Sequence, residues 1–332
     1  MVLDITLLLV CASIIFISGT KLSYYGDIIA EESGLGKIWV GLLLMASVTS
    51  LPELVTGIGS VTLAGSPDLA VGNVLGSCIF NLAILSLLDV FIRRDPLFTK
   101  VETTQVLAAS LGIILLALVG MGLFLQNIIL IGWIGVTSIF FIGAYLASIK
   151  LIHKFSTRYS KQGAPVVHNE SSKKNLRRAI LWYGVHAAIV IAASLGLPLF
   201  AERIAVASGL SESFVGTLLL AASTSLPEIA ISIAAVRKGL IDIAVGNLFG
   251  SNIFNVLTLA VDDVFYTQGD LLKVASTSNI ITVFSTIAMT AIAIVGLTVR
   301  SEKKRFILAF DTLLILLIYF ANIILLYNWK EG

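Results

Sequence analysis

Two pentapeptides carry the chemistry of this chain. Thr49-Ser50-Leu51-Pro52-Glu53 and Thr224-Ser225-Leu226-Pro227-Glu228 each end in a carboxylate set inside a long apolar stretch. An acidic side chain at bilayer depth costs about 2.5 kcal/mol or more on insertion scales, so its retention points to function. Apart from Lys21, no Lys or Arg falls at comparable depth, and a structural ion pair does not account for both acids. The proline before each Glu lacks an N–H and clashes with the carbonyl four residues back. Those carbonyls belong to Val48 and Ser223, with the carbonyls of Ala46 and Ala221 as further candidates. Backbone freed inside a membrane must find another partner, and a bound cation is one. Thr49 and Glu53 share a helix face at i, i+4, as do Thr224 and Glu228, with Ser50 and Ser225 bordering it.

A second motif, Gly-Asn-x-x-Gly-Ser-x-Ile-Phe-Asn, occupies 72–81 and 246–255. Asn73, Ser77 and Asn81 form a polar stripe at i, i+4, i+8, and Asn247, Ser251 and Asn255 form its counterpart. Gly72, Gly76, Gly246 and Gly250 suit close helix packing, while Ser77, Asn81, Ser251 and Asn255 are expected to point inward. Asn73 and Asn247 either join the stripe or satisfy the broken backbone of the neighbouring span. Carboxylates, hydroxyls, amides and freed carbonyls make an all-oxygen shell suited to hard cations such as Ca²⁺ or Na⁺. None of these residues is an imidazole or a thiolate, which argues against zinc, copper and iron. Two carboxylates balance one Ca²⁺ or two monovalent ions, so competition for one site is an economical coupling scheme.

The elements that position these residues follow from composition. The AVILMFWYC set makes up 57% of 332 residues, DEKR only 13%, and mean hydropathy is +0.99. That much apolar surface cannot be enclosed in one soluble core, which excludes a soluble enzyme, a disordered chain and a nucleic-acid-binding domain. Spans of about 20 apolar residues cross a bilayer as helices. Ten can be marked, at 4–30, 37–62, 69–91, 101–122, 125–149, 178–207, 213–236, 241–264, 276–298 and 305–327. Their continuity excludes the alternating short strands of a β-barrel. The first lacks a basic n-region and an A-x-A site, and reads as a retained anchor. Alternate loops hold 18 and three Lys or Arg residues, so the positive-inside rule puts both termini outside and the basic 150–177 linker in the cytoplasm. Cys11 and Cys78 lie in apolar runs without metal-ligand spacing.

The chain is also duplicated. Residues 41–53 and 216–228 agree at nine of 13 positions, as do 69–81 and 243–255. The shared letters include Thr, Ser, Pro, Glu and Asn, which apolar bias cannot supply. Repeats of five spans, 1–149 and 178–332, enter the membrane in opposite senses. That is the inverted-repeat plan of secondary transporters, with the substrate site near the midplane. The fold class expected is therefore an all-α polytopic membrane protein of ten transmembrane helices in two inverted five-helix repeats. Asp68 and Asp242 are expected to cap their own helices, Asp311 to pair with the basic 300–305 loop, and His186 to be structural.

The two T-S-L-P-E motifs and the G-N-x-x-G-S-x-I-x-N segments resemble the α-repeats of the cation/calcium antiporter superfamily, closest to the sodium/calcium exchanger branch and its prokaryotic relatives. The resemblance implies ions bound by spans 2, 3, 7 and 8, with spans 1 and 6 sliding past that core. It implies as ligands Ala46 (carbonyl), Thr49, Ser50, Glu53, Ser77 and Asn81, with Ala221 (carbonyl), Thr224, Ser225, Glu228, Ser251 and Asn255. Two departures stand out: Val48 and Ser223 replace a usual Gly, and both Asn81 and Asn255 are amides where several exchangers carry one Asp. The latter argues against potassium co-transport. Gly76 and Gly250 stand where calcium/proton exchangers show Glu.

The expected function is a plasma-membrane antiporter exchanging Ca²⁺ for Na⁺, with Ca²⁺/H⁺ or another divalent exchange as the alternative. It is no enzyme, because no nucleophile–base signature is present. No cofactor, nucleic acid or protein partner is expected beyond the transported ions and the lipid bilayer. A passive channel would need repeats around an axis along the membrane normal. The charge asymmetry makes a direct prediction. A cysteine placed at Ser160 is labelled by membrane-impermeant reagent only from the cytoplasmic side; labelling from outside intact cells contradicts the topology.

Overall fold

Inside hydrocarbon a backbone must close its own hydrogen bonds, so long apolar stretches become helices. The structure, a computed structural model, describes residues 1–32, 46–92, 95–125, 129–159, 173–300, 304 and 307–329. Among these, eight helices are long and apolar enough to cross a bilayer. The first half contributes α1 (Val2–Glu32), the short α2 (Ala46–Thr49), α3 (Leu51–Gly59), α4 (Pro67–Phe91), α5 (Gln105–Leu125) and α6 (Val136–Tyr159). The second half contributes α7 (Lys173–Ser208), α8 (Glu212–Val215), α9 (Ala221–Thr224), α10 (Leu226–Arg237), α11 (Ile241–Phe265), α12 (Leu271–Val274), α13 (Asn279–Val299) and α14 (Phe310–Asn328).

The seventh expected span is bent rather than straight: Glu212–Thr224 and Leu226–Arg237 meet at 47°. The second expected span is described only from Ala46, and its first part, 37–45, lies outside the described residues. Two π-helical turns, Ser60–Ala64 and Gly216–Leu220, flank the breaks. The span expected at 125–149 starts later, at Val136, because a two-stranded hairpin precedes it, pairing Leu130 with Gly135 and Ile131 with Ile134. Gly132, at φ 70°, supplies the positive φ that a two-residue hairpin turn needs at its first position. The ends of the expected linker continue α6 to Tyr159 and begin α7 at Lys173. Residues 160–172 lie outside the described part.

Helices α4 and α11 are the innermost; almost every residue of their middle turns is buried, and they pack on each other. Helices α1 and α7 lie along one another at the side and turn apolar faces outward, including Val2, Leu9, Ile17, Leu181 and Val206. His186 stacks there on Tyr25, ring centroids 5.9 Å apart, and borders Trp182 at 6.0 Å.

Four aspartates tie each half to the other. Asp68 does not cap its own helix, a place taken by Ser66; it accepts from Ser276 N at 2.6 Å and Asn279 Nδ2 at 3.5 Å. Its repeat counterpart Asp242 accepts from Glu102 N at 3.0 Å and Gln105 Nε2 at 3.4 Å. Positions 102 and 105 are the counterparts of 276 and 279, so the same contact is made twice with the halves exchanged. Asp89 likewise accepts from Leu97 N (2.8 Å), Ala309 N (2.8 Å) and Thr312 Oγ1 (2.9 Å). Asp263 accepts from Leu271 N (2.7 Å), Gly135 N (2.9 Å) and Ser138 Oγ (2.6 Å). Each carboxylate, buried at Asp89 and Asp263 and half-buried at Asp68 and Asp242, thereby satisfies helix-start N–H groups that have no partner within their own helix. One partner breaks the symmetry. Lys304 pairs with Asp89 at 2.8 Å, both nearly fully buried, so this residue of the basic loop makes its direct ion pair with Asp89 rather than Asp311, while residues 301–303 and 305 lie outside the described part.

This asymmetry sets an order of stabilities. Asp89→Asn strands a buried ammonium and lowers stability by about 3–5 kcal/mol. Asp263→Asn strands only hydrogen-bond donors, for about 1–3 kcal/mol. Thermal unfolding of the purified variants in detergent should show Asp89→Asn melting at the lower temperature.

Candidate ion-binding site

The two helix breaks have the same geometry. Ser50 sits at φ −85°, ψ 9° between α2 and α3, and Ser225 at φ −87°, ψ 11° between α9 and α10. Pro52 and Pro227 fall at the second residue of the new helix, where a missing N–H is harmless, and Glu53 and Glu228 lie in its first turn. A helix N-terminus carries positive partial charge and unpaired N–H groups, so each break gives its carboxylate a favourable seat at bilayer depth. Across the breaks, Leu54 N donates to Ser50 O (3.1 Å) and Ile229 N to Ser225 O (3.4 Å).

Side chains from both halves converge on these seats. Glu53 Oε1 accepts from Ser225 Oγ at 2.8 Å and from Ser77 Oγ at 3.3 Å. Ser225 Oγ also reaches Ser77 Oγ at 3.1 Å, and Ser77 lies 3.4 Å from Thr224 Oγ1. The mirror contact, Thr49 Oγ1 to Ser251 Oγ, is also 3.4 Å. Glu228 stands within electrostatic reach of Glu53, with the hydroxyls of Thr49 and Ser50 beside it. Asn73 Nδ2 donates to Glu53 O at 3.2 Å, and Asn73 Oδ1 accepts from Thr224 at 3.3 Å, so this amide satisfies the backbone of the broken span. Asn247, its counterpart, makes no such bond among the described residues. Ala221 O accepts from Ser225 N at 3.0 Å and Thr224 Oγ1 at 3.3 Å. Ala46 opens α2, and its backbone is placed as the counterpart of Ala221.

Two residues that sequence reasoning passed over orient the amides. The carbonyl of Cys78 can only accept, so Asn252 must turn its Nδ2 toward it, at 3.1 Å. Asn252 Oδ1 then faces Asn81 Nδ2 at 3.0 Å, leaving Asn81 Oδ1 as the outward-turned atom. On the other side Cys78 Sγ donates to Asn252 O at 3.9 Å and accepts from Asn255 Nδ2 at 3.6 Å, which turns Asn255 Oδ1 outward. Cys78 and Asn252 occupy equivalent repeat positions, and that equivalence was the available signal for their shared role.

The buried oxygens without a hydrogen-bond partner among the described residues include six at the two breaks and their facing amides: Glu53 Oε2, both carboxylate oxygens of Glu228, Ser50 Oγ, Asn81 Oδ1 and Asn255 Oδ1. Orphaned acceptors are costly in a low-dielectric interior, and these six lie on residues proposed from sequence as ion ligands, while others, among them those of Asp262 and Asn247, lie on residues that were not. Among the described residues no three His, Cys, Asp or Glu side chains cluster. The donor set is therefore carboxylate, amide and hydroxyl oxygen, the chemistry that Ca²⁺ and Na⁺ prefer. The glycines bring the helices together as expected. A Cβ at Gly76 would fall 2.5 Å from Thr217 Cα and 2.7 Å from the Ala221 side chain, and one at Gly246 would meet Gln105 at 2.9 Å.

Comparison with known proteins agrees with this geometry. Both halves match the sodium/calcium exchanger protein family, over residues 3–152 and 179–328. The inner membrane protein YrbG of Escherichia coli is 30% identical over 276 residues, covering 82% of each chain. The sodium/calcium exchanger MaX1 of Methanosarcina acetivorans is 34% identical over 145 residues, 42% of this chain and 38% of MaX1. A solved structure of the sodium-calcium exchanger NCX_Mj, soaked with Na⁺ and Sr²⁺, superposes with a TM-score of 0.63 over 100% of both chains at 20% identity, a likeness of fold.

The amide-orienting pair yields a prediction. Asn252→Ala removes the acceptor that holds Asn81 Nδ2 and frees that amide to rotate. Groups that orient metal ligands typically contribute 10–100-fold in affinity. Ca²⁺ binding to the purified variant should weaken by about tenfold or more while the ion-free melting temperature shifts little; unchanged Ca²⁺ affinity contradicts the assignment.

Proposed function

From the premise that this chain belongs to the sodium/calcium exchanger protein family, we propose that it is a secondary antiporter exchanging Ca²⁺ for Na⁺ by alternating access. The observation that carries the reading is the set of orphaned oxygens around two carboxylates, one on each of two mirror-image helix breaks. Glu53 and Glu228 supply the charge. Thr49, Thr224, Ser50, Ser225, Ser77, Ser251, Asn81 and Asn255 supply neutral oxygens, with the carbonyls of Ala46 and Ala221 as further donors. One Ca²⁺ or two Na⁺ would neutralise the carboxylate pair, so the two ions exclude each other from a shared cage.

The architecture we infer is ten spans in two inverted repeats, 1–149 and 178–332, joined by the 150–177 linker. The exchanged aspartate contacts support it, since a pseudo-twofold relation between halves is what makes Asp89 and Asp263 swap equivalent partners. The basic loops favour both termini outside, in the plasma membrane of the cell. Helices α1 and α7 are the moving pair in this reading. They lie along each other and pack on the broken spans, with Gly19 against Pro227 and Thr56 donating to Ser194 O at 3.3 Å.

The test is ⁴⁵Ca²⁺ flux in proteoliposomes under imposed Na⁺, K⁺ or H⁺ gradients. The parent protein should respond to Na⁺. Glu53→Gln and Glu228→Gln should each reduce flux to background while the protein folds normally, because the cage loses half its charge. Gradient-driven Ca²⁺ flux surviving in the double variant would sink the site.

A further inference from the structure

Four positions break the internal symmetry in one direction. Beyond Glu53 toward the outer face of the membrane, the positions at i+3 and i+7 are Thr56 and Ser60. Beyond Asn255 they are Thr258 and Asp262. All four are wholly buried. Their repeat equivalents, counted from Glu228 and Asn81 toward the cytoplasm, are Ile231, Ala235, Ile84 and Leu88. At these four positions the outer side of the cage carries oxygen and the inner side hydrocarbon, although Ser232, one turn beyond Glu228, places a buried hydroxyl on the inner side.

Asp262 is the anomaly among these. Neither carboxylate oxygen has a hydrogen-bond partner among the described residues. Its charged neighbour is another acid, Asp263, whose own oxygens are taken by Leu271, Gly135 and Ser138. The Asp262 carboxylate packs directly on the backbone of Gly57, where a Cβ would lie 2.6 Å from Asp262 Cγ. Gly57 is one helical turn beyond Glu53. Asn255, Thr258 and Asp262 share one face of α11 at i, i+3, i+7, which sets Asp262 about 10 Å along the axis from the cage. The hydroxyl of Thr258 makes only a long bond, 3.5 Å, to Phe254 O. A buried carboxylate without donor or countercharge is a costly arrangement, and nothing among the described residues compensates it. A cation does.

We propose that Asp262 is a second, outer cation site: a carboxylate between the Glu53–Glu228 cage and the external face that takes a hard cation, Ca²⁺ or Na⁺, in transit. The inference rests on the transport reading given above. Thr258 and Asn255 continue the oxygen stripe inward, so an ion leaving Asp262 is handed toward the cage without crossing hydrocarbon. Leu88 and Ile84 offer no such resting place on the cytoplasmic route. The two faces of the exchanger therefore differ in apparent cation affinity, the outer being the tighter.

Equilibrium binding of ⁴⁵Ca²⁺ and, separately, ²²Na⁺ to the purified Glu53→Gln/Glu228→Gln protein isolates the outer site, and the two isotopes distinguish which ion it prefers. Residual cation binding is expected, and adding Asp262→Asn should weaken it at least tenfold. If the double variant binds neither ion, or Asp262→Asn changes nothing, the proposal is overturned; the first of these outcomes needs no change at Asp262 and so does not depend on how that variant folds. In proteoliposomes, Asp262→Asn alone should raise the half-saturating Ca²⁺ concentration about fivefold on one face, the external one, and leave the other within twofold. An equal change on both faces, or none, also overturns it. Absence of any Ca²⁺ flux in the parent protein would refute the antiporter reading while the binding measurement still decided the outer site.

Discussion

A carboxylate in hydrocarbon is tolerable only if the protein supplies it with donors and a countercharge. That constraint organises the centre of this molecule. The chain meets the first half of the requirement by breaking a helix just before each acid, so that Glu53 and Glu228 sit on fresh helix N-termini. The breaks would leave polar backbone exposed, and neighbouring side chains close it: Asn73 takes the carbonyl of Glu53, and the hydroxyls of Ser77, Ser225 and Thr224 fill the space between halves. The remaining oxygens form the shell in which we place the transported ion.

The close approach of helices that this shell requires depends on residues with little or no side chain. Gly72 and Gly76 let α4 run against the backbone of 213–221, and Gly57 lets Asp262 lie on α3. Helices α4 and α11 are themselves clamped at both ends by the aspartates, each holding helix starts of the other half. Rigid clamps at the ends and a polar centre fit a core that stays fixed while a lateral pair of helices moves.

The duplication is close but not complete, and the differences carry information about direction. Lys304 supports Asp89 and has no counterpart at Asp263, because Leu130 occupies the equivalent place. Cys78 and Asn252 hold the two ligand amides with different strengths, one through a thiol and one through an amide. Glu53 accepts two hydroxyls while Glu228 accepts none of normal length. A perfectly symmetric carrier would be indifferent to which side an ion came from; this one is not built to be.

Membrane class, internal repetition, the paired acids and the candidate oxygen ligands are legible along the linear chain, because each is a matter of residue type and spacing. Apolar runs, a Pro-Glu pair at depth and a stripe at i, i+4, i+8 have one physical meaning wherever they occur. Some partners are misplaced there for a common reason. Asp68 and Asp242 read as caps of their own helices, and the basic 300–305 loop, which includes Lys304, as a partner for Asp311, since a linear reading favours near neighbours. The fold gives them to residues more than a hundred positions away. Which oxygen of Asn81 and Asn255 is left unpaired, and that Asp262 has no donor among the described residues, follow likewise from the tertiary structure. Both depend on what the opposite half places beside them, and an inverted repeat brings together residues that no spacing along the chain can pair.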